Sequence, residues 1–273
     1  MTRGTGDRPW RVAAGVAGAA VLAGCAGGPV GLTIDTTYSA RSQDSRVQFL
    51  VIHHTAEDLP TSLRILTQQE VSSHYLVTDE QPPRVYRLVD EDRRAWHAGL
   101  SSWRGNTRLN AASIGIEIVH PGEVRTAQGT TWPPFDAAQI DLVVALVQDI
   151  VQRHAIRPEH VVGHSDIAPQ RKVDPGPTFP WKRLSDLGLV PWPDAMRVQQ
   201  ARAAFEAAPP DVAWFQRALA EQGYEVSRGG MLDEPTRKVI RAFQMKYRPA
   251  RFDGEPDVET AALLEALNAQ ARR

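Results

Sequence analysis

The clearest hydrophobic pattern in the chain is an apolar run at residues 48–54 that ends in two histidines. Apolar side chains occupy both sides of this run, which is typical of a β-strand in the middle of a covered sheet. Because side chains alternate along a strand, His53 shares a face with Phe49 and Val51, whereas His54 points the other way. Only one histidine of the pair can therefore join a given metal site.

A second strand is predicted at residues 113–119, and it carries one acidic side chain. Ile114, Ile116 and Ile118 fall on one face of this strand, and Glu117 falls on the other. A carboxylate in the middle of such a strand is costly to bury unless it is paired or used. Glu117 is therefore a candidate functional residue.

A helix and a third strand complete the pattern of the first domain. Residues 136–154 have an acidic start, a basic end that suits the helix dipole, and an apolar stripe at helical spacing: Ile140, Val143, Val144, Val147, Ile150 and Val151. Residues 161–163 form a short strand that brings His164 to the edge of the sheet. The pattern predicts an α/β fold, with a mixed β-sheet flanked by helices and the site at the strand ends.

Proline pairs mark a boundary after this domain. They lie at residues 191–193 and 209–210, and a helical connector is predicted between them at residues 194–206. Proline stops helices and stiffens linkers. We therefore place the first domain at residues 40–195 and a second domain at residues 207–270.

The second domain contains an internal repeat. The pattern Gly-x-x-Asp-x-x-Thr begins at Gly230 and again at Gly254, and its aspartate is a good helix N-cap. An earlier helix is marked by Phe215 and Leu219. The pattern predicts a small three-helix domain.

The N-terminus has the features of an export leader, which we place at residues 1–24. Three arginines precede an apolar stretch that is too short to span a bilayer as a mature helix. The leader ends in Leu-Ala-Gly-Cys, which resembles the lipobox of bacterial lipoproteins, and Cys25 is the only cysteine of the chain. A lipid on Cys25 would anchor the protein to a membrane. Ala26 and Gly27 follow Cys25 in place of an aspartate, which by resemblance to lipoprotein sorting rules implies the outer membrane, facing the periplasm of the bacterial cell envelope.

The composition narrows the possible partners. The formal net charge is −1, and loss of the leader makes it more negative, so nucleic acid is not an expected partner. A content of 42% hydrophobic and 23% charged residues is ordinary for a globular chain of this length. The oligomeric state does not follow from the sequence.

The segment from His164 to Gly176 is rich in titratable groups and ends in turn-forming residues. His53 and His164 supply two imidazoles, and Asp174 supplies a carboxylate. Lys172 lies two residues before Asp174. Two histidines and a carboxylate give zinc three protein ligands and leave its fourth position open, as in catalytic sites. The set predicts a zinc hydrolase.

Five motifs in the first domain carry a specific resemblance. They are Val-Ile-His-His-Thr-Ala from Val51, Ser-Ser-His-Tyr-Leu-Val from Ser72, Ala-Trp-His-Ala-Gly from Ala95, Ser-Ile-Gly-Ile-Glu from Ser113, and His-x-Asp-Ile-Ala-Pro-x-Arg-Lys-x-Asp-Pro-Gly from His164. Over residues 40–195 the chain resembles the zinc-dependent N-acetylmuramoyl-L-alanine amidases of the amidase-2 family, and especially their outer-membrane lipoprotein members.

This resemblance implies a fold of the peptidoglycan-recognition type and one zinc ion held by His53, His164 and Asp174. It implies that Glu117 is the general base and that Lys172 stabilises the oxyanion. The implied reaction is hydrolysis of the amide between the lactyl group of N-acetylmuramic acid and L-alanine, in peptidoglycan or muropeptides, during cell-wall turnover.

Four further residues are weaker candidates for the site. His74 and His97 either line the groove or are satisfied structural histidines. The resemblance implies that Arg108 meets a carboxylate of the stem peptide, with Asn110 nearby, and the alternative is a solvated loop.

Asp166 either competes as a ligand or pins the turn. The role of His54 is open.

Residues 211–268 resemble the peptidoglycan-binding domain that is appended to many cell-wall hydrolases. The alternative is a helical spacer. Since the catalytic candidates all precede this domain, its deletion is expected to leave hydrolysis of a small muropeptide nearly unchanged.

Two other functions compete with amide hydrolysis at the lactyl group. One is a protein that binds muropeptides without cleaving them, and the other is a zinc peptidase that cuts within the stem peptide. Neither the preference for intact or anhydro-muropeptides nor the third residue of the stem follows from the sequence.

Overall fold

The computed structural model describes residues 32–127 and 129–272. The predicted leader and Cys25 lie outside the described residues. The chain divides into two compact units, residues 1–43 and 44–273. In the first unit, the described residues 32–43 form neither helix nor strand. Over the described part of the chain, no helix is long and apolar enough to cross a bilayer.

The helices and strands described here belong to the second unit. In chain order they are β1 Phe49–His54, α1 Leu59–Gln68, β2 Tyr75–Val77, β3 Val85–Arg87, α2 Leu109–Ala112, β4 Ser113–Ile118, β5 Val124–Thr126, β6 Gly129–Thr131, α3 Ala137–His154, a 3-10 turn Pro158–His160, β7 Val161–Gly163, α4 His164–Ile167, α5 Trp181–Asp186, α6 Ala195–Ala207, α7 Val212–Gln222, α8 Glu234–Tyr247 and α9 Val258–Ala271.

The main sheet has five strands in the order β3-β2-β4-β1-β7. Strands β2, β4, β1 and β7 run parallel to one another, and β3 is antiparallel to β2. The predicted mixed sheet is confirmed. A separate two-stranded hairpin, β5 with β6, was not expected from the sequence.

The two faces of β1 pack against different partners. Leu50 and Ile52 lie in a cluster with the apolar stripe of α3, which confirms the predicted helix. Phe49 and Val51 lie in a second cluster together with side chains of α7, α8 and α9, such as Phe215. The C-terminal helices therefore share a core with the sheet.

The last two C-terminal helices, α8 and α9, begin at the predicted aspartate caps. The Asp233 carboxylate accepts a hydrogen bond from the Thr236 N–H, and Asp257 accepts one from Thr260. The repeat also extends to tertiary contacts. The glycine N–H at the start of each copy donates to the Oε1 of a glutamine in the preceding helix, and the Nε2 of that glutamine donates to the threonine hydroxyl.

The shared core changes the expectation for a deletion of the C-terminal domain. Phe49 and Val51 are 3% and 0% exposed in the folded chain. Removal of the C-terminal helices would take away part of the cluster to which these two side chains belong, and exposing apolar side chains costs about 25 cal/mol per Å². We therefore expect the shortened chain to be destabilised, in contrast to the expectation from the sequence.

A charged cluster ties the loop after β3 to the end of α3. The Glu91 carboxylate accepts hydrogen bonds from the guanidinium of Arg153 and, at 2.6 Å, from the Tyr75 hydroxyl. His154 Nε2 lies 2.8 Å from the same carboxylate. The hydrogen bonds from Arg153, with further ones from Tyr75 and His154, lower the pKa of Glu91 from 4.5 to about 2, against the effect of burial.

A Glu91→Gln variant is expected to lower the free energy of unfolding at neutral pH. Because the folded pKa is depressed, the carboxylate contributes its full stabilisation above pH 4.5 and loses it as the pH falls towards 2. The loss should be about 1–2 kcal/mol, since Arg153 is partly exposed. Urea unfolding of both proteins between pH 7 and pH 3 tests this. Glu80→Gln, at an exposed pair with Arg84, is the control, and a difference independent of pH would contradict the prediction.

Candidate active site

Three adjacent strands place one candidate residue each at the carboxyl edge of the sheet. In the register of β1 with β4, His53 lies opposite Glu117. In the register of β1 with β7, Ile52 lies opposite Gly163, so His164 follows beside His53. Neighbours in register on parallel strands point to the same face. Glu117, His53 and His164 therefore form a row at the edge where α/β sheets commonly bind ligands.

A loop after α4 brings Asp174 to this row. The Ser165 N–H donates to the carbonyl oxygen of Asp174 at 2.8 Å, which holds the loop against the start of α4. On the other side, His54 Nδ1 donates to the carbonyl oxygen of Pro175 at 3.1 Å. His54 thus contacts the residue after Asp174, on the side of β1 opposite to His53.

Three potential ligand atoms converge. His53 Nδ1 lies 2.9 Å from His164 Nδ1, and each lies 3.1 Å from Asp174 Oδ2. The three residues are buried and form the metal-binding group that the described part of the chain contains. Zinc with ligands at about 2.0–2.1 Å in a tetrahedron separates those ligand atoms by roughly 3.3 Å. The observed spacing is close to this value.

Hydrogen bonds behind His53 fix which ring nitrogen carries its proton. The Ser113 hydroxyl donates to the carbonyl oxygen of Leu109, so it accepts from His97 Nε2 at 3.1 Å. His97 Nδ1 is then an acceptor, and His53 Nε2 donates to it at 3.0 Å. The lone pair of His53 is therefore on Nδ1, which faces the other two ligand atoms.

The same argument applies to His164. Its Nε2 lies 3.2 Å from the carbonyl oxygen of Ala98, which can only accept, so the proton is on Nε2 and the lone pair is on Nδ1. The guanidinium of Arg171 also donates to this carbonyl and to that of Leu100. Second hydrogen bonds of this kind orient metal-binding histidines in proteins.

The protonation of His53 and Asp174 suits the binding of a cation. Burial and the neighbouring His164 lower the pKa of His53 to about 4, so its ring is neutral at pH 7. Burial alone would raise the pKa of Asp174, but the two imidazoles beside it hold this pKa well below its usual value. The neutral ring of His53 and the carboxylate of Asp174 thus face each other without a proton between them. The residues fit a divalent cation.

Glu117 lies beside this group with a free oxygen. Its Oε1 is 4.0 Å from His53 Nδ1, and its side chain is 14% exposed. Its Oε2 is buried and makes no hydrogen bond within the described residues. Burial and the charge of Asp174 raise the pKa of Glu117 to about 8, while Lys172 opposes this rise. The carboxyl group therefore takes up a proton more readily than an exposed glutamate does.

Lys172 borders the same cavity. Its ammonium group makes no hydrogen bond or ion pair among the described residues, and its charge acts on both Glu117 and His53. One wall of the cavity is built by α1, and Trp96, which is 50% exposed, forms another part of the rim. The lining residues are His54, Thr55, Glu57, Ser62, Ile65, Leu66, Val71, Ser72, Trp96, His97, Glu117, His164, Lys172 and Asp174.

The structure shows which contacts the weaker candidates make. His74 has both ring nitrogens satisfied, with Nδ1 accepting from the Gly115 N–H and Nε2 donating to the carbonyl oxygen of Arg93. Asn110 Oδ1 accepts from the backbone N–H groups of His97 and Ala98, so it shapes the loop behind His53.

Arg108 is exposed in a shallow surface depression that it shares with Trp96. Its contact with the stem peptide stays a prediction. Asp166 is not among the converging ligand atoms. Its carboxylate accepts hydrogen bonds from Gly163 and Tyr224, in keeping with the predicted role in the turn.

Sequence reasoning missed two features of the site. The role of Ser113 behind His97 depends on a tertiary contact that no local pattern reveals. His120, assigned no role from the sequence, is stacked on Phe135 with ring centroids 3.8 Å apart, and its ring lies 5.8 Å from that of His54. Its position just after β4, at the carboxyl edge of the sheet, was an available signal.

This geometry is that of a hydrolytic site with a place for one cation. Residues 43–177 match the family model described as N-acetylmuramoyl-L-alanine amidase, and residues 208–264 match that of a peptidoglycan binding domain. The chain is 48% identical to the N-acetylmuramoyl-L-alanine amidase AmiD of Escherichia coli over 263 residues, which cover 92% of this chain and 95% of AmiD.

Solved structures are also similar to this chain. The complex of E. coli AmiD with the substrate anhydro-N-acetylmuramic acid-L-Ala-D-gamma-Glu-L-Lys superposes with a TM-score of 0.79 at 45% identity, covering 88% of this chain and 95% of that one. AmpDh3 from Pseudomonas aeruginosa gives a TM-score of 0.82 at 39% identity, covering 89% and 100%. The chain belongs to the N-acetylmuramoyl-L-alanine amidase family, and the predicted resemblance is confirmed.

Proposed function

We propose that this amidase is zinc-dependent and hydrolyses the amide between the lactyl group of N-acetylmuramic acid and L-alanine. The observation that carries the zinc assignment is the convergence of His53 Nδ1, His164 Nδ1 and Asp174 Oδ2 with all three lone pairs directed inwards. Zinc is favoured by its common use of histidine and carboxylate ligands. Bound there, it supplies Lewis-acid polarisation of the scissile carbonyl and activates water at neutral pH.

Glu117 would act as the general base and then as the general acid. Glu117 lines the cavity beside His53, and its carboxylate can take the proton of the attacking water. The carboxyl group would then deliver this proton to the departing amine of L-alanine. The same buried environment that raises the pKa of Glu117 favours uptake of the proton in the first step.

Lys172 would stabilise the negative oxygen of the tetrahedral intermediate. Its ammonium group borders the cavity and is not engaged by a carboxylate among the described residues. A fixed positive charge in a partly buried site favours charge that develops on the substrate during the reaction.

The solved complexes guide the choice of substrate. E. coli AmiD binds an anhydro-N-acetylmuramic acid tripeptide, and AmpDh3 binds an anhydromuramic pentapeptide. We propose that this chain also accepts anhydro-muropeptides. Trp96, exposed at the rim with the Arg94 guanidinium 3.9 Å above its ring, offers an apolar surface for the substrate.

Mass spectrometry of the products tests this function. After incubation with an anhydro-N-acetylmuramyl tripeptide, we expect an intact tripeptide with a free L-alanine amine and a sugar with a free lactyl carboxylate. A chelator should stop product formation, and added zinc should restore it. Cleavage within the peptide would instead indicate a stem peptidase, and binding without cleavage would indicate a recognition protein.

The placement in the cell envelope is a further part of the proposal. The lipobox-like sequence at Cys25 supports lipid attachment and an outer-membrane location facing the periplasm. The match of residues 208–264 to a peptidoglycan binding domain supports contact with the cell wall rather than a spacer role. Metabolic labelling with a fatty acid should mark the wild-type chain but not Cys25→Ser.

A further inference from the structure

A buried ion pair joins the C-terminal helices to the segment that carries His164. Lys246 of α8 places its Nζ 2.9 Å from Oδ2 of Asp166 in α4, and the two side chains are 5% and 1% exposed. Taking two charges out of water costs free energy, which their attraction offsets only where the geometry is good and further hydrogen bonds satisfy both groups. The groups that contact Asp166 and Lys246 therefore indicate which part of the structure this ion pair holds in place.

The Asp166 carboxylate is satisfied on both oxygens. Besides Lys246, Oδ2 accepts from the backbone N–H of Gly163 at 2.9 Å, and Oδ1 accepts from the Tyr224 hydroxyl at 2.6 Å. Lys246 also lies over the Trp181 ring, 4.2 Å from its centroid, in a cation–π contact. One carboxylate thus connects two residues of the C-terminal domain to the backbone at the end of β7.

This backbone leads directly to the candidate ligands. His164 lies between Gly163, which Asp166 holds, and Ser165, whose N–H donates to the carbonyl oxygen of Asp174 at 2.8 Å. Two of the three ligand residues are therefore positioned by the turn that Asp166 closes.

The turn has little freedom to adjust. A Cβ atom on Gly163 would lie 2.7 Å from the ring of Pro175 and 3.1 Å from Trp181. Pro175 follows Asp174 in the chain, so a shift at Gly163 would press on the loop that carries this ligand. Close packing of this kind transmits displacement instead of absorbing it.

We propose that Lys246 and Tyr224 are positioning residues of the metal site. Through Asp166 they fix the turn that carries His164 and, through Ser165, the backbone of Asp174. The C-terminal helices then complete the zinc site in addition to any contact with the cell wall. The inference rests on the zinc amidase function proposed above. An apolar contact would join the two domains as well, but it would not direct a carboxylate at the Gly163 N–H.

Zinc affinity of the full chain tests the proposal. Lys246→Met should weaken zinc binding by about 10–100-fold, the usual cost of a change outside the ligand shell. Tyr224→Phe removes a single hydroxyl and should weaken binding in the same direction by a smaller factor. Both are measured by competition with a chromophoric chelator, well below the melting temperature of each variant. With zinc at saturation, kcat on a soluble anhydro-muropeptide should fall while KM stays near the wild-type value.

Lys238→Met is the matched control. Lys238 is on the same helix and contacts the carbonyl oxygen of Gln170 at the surface, so this variant also removes a lysine contact to the loop. It should leave zinc affinity and kcat unchanged. Wild-type zinc affinity in both Lys246→Met and Tyr224→Phe would overturn the proposal, and if Lys246→Met does not fold, Tyr224→Phe decides. A wild-type chain that binds no zinc would instead refute the proposed function.

Discussion

An Asp174→Ala variant is expected to lose its bound metal and its amidase activity together. The change leaves two imidazoles, His53 and His164, without the carboxylate that offsets the charge of the ion. The loss of affinity should exceed the roughly 10–100-fold effect of changes outside the ligand shell. Elemental analysis of the purified variant measures the first effect, and product release from an anhydro-muropeptide measures the second.

Asp186→Ala is the control for this variant, since Asp186 is exposed on α5 and pairs only with Lys182 in the described residues. It should retain metal and activity. The opposite pattern at the buried aspartates would reject the ligand assignment: an Asp174→Ala variant with its full zinc content, beside an Asp166→Asn variant with none, would make Asp166 the third ligand.

Glu117→Gln and Lys172→Met are expected to keep zinc and the fold but to lose turnover. Each removes a group that is needed mainly in the transition state, while His53, His164 and Asp174 stay in place. Loss of general acid–base help should lower kcat by about 10²–10⁴-fold. Loss of the oxyanion-stabilising charge should lower it by about 10²–10³-fold. Steady-state kinetics and metal content of the same preparations test both effects.

Lys182→Met is the control for loss of a lysine, because this exposed side chain lies on α5 away from the cavity lining. Turnover near the wild-type value in either test variant removes that residue from the mechanism. Loss of zinc in Glu117→Gln would show that Glu117 supports the metal rather than the proton transfer.

The strands and the orientation of their histidines could be predicted because they depend on local alternation. The apolar run before His53 requires cover on both faces, and the period of two then separates His53 from His54. The structure has this arrangement, with His53 towards Asp174 and His54 towards Pro175. Helix starts could also be predicted, because an aspartate cap accepts hydrogen bonds from N–H groups two or three residues later in the chain.

Contacts between distant segments could not be predicted from the sequence in this way. Lys246 falls in a helix whose apolar positions are marked by Phe243 and Tyr247, and a lysine among them normally lies on the solvent side. Its partner Asp166 is far away in the chain and has two plausible roles in the sequence alone. Only the packing of α8 on α4 shows that both charges are buried.

The separability of the C-terminal domain was the expectation most changed by the structure. Proline pairs and a repeat correctly indicate where the helices begin and end, but they carry no information about what each helix covers. The apolar face of β1 at Phe49 and Val51 had no identified partner in the sequence. In the structure, both side chains belong to a cluster that includes side chains of the C-terminal helices.

The row of Glu117, His53 and His164 determines which parts of the site are open to variation. Their spacing follows from the distance between neighbouring strands, about 4.8 Å, so substitutions elsewhere in the sheet cannot retune it without breaking the ladder. Asp174 and Lys172 arrive on a loop, whose length and composition can change at little cost to the sheet. Under the proposed mechanism, a different metal preference or substrate would therefore arise from changes in the loop, while the strand ends keep Glu117 opposite His53.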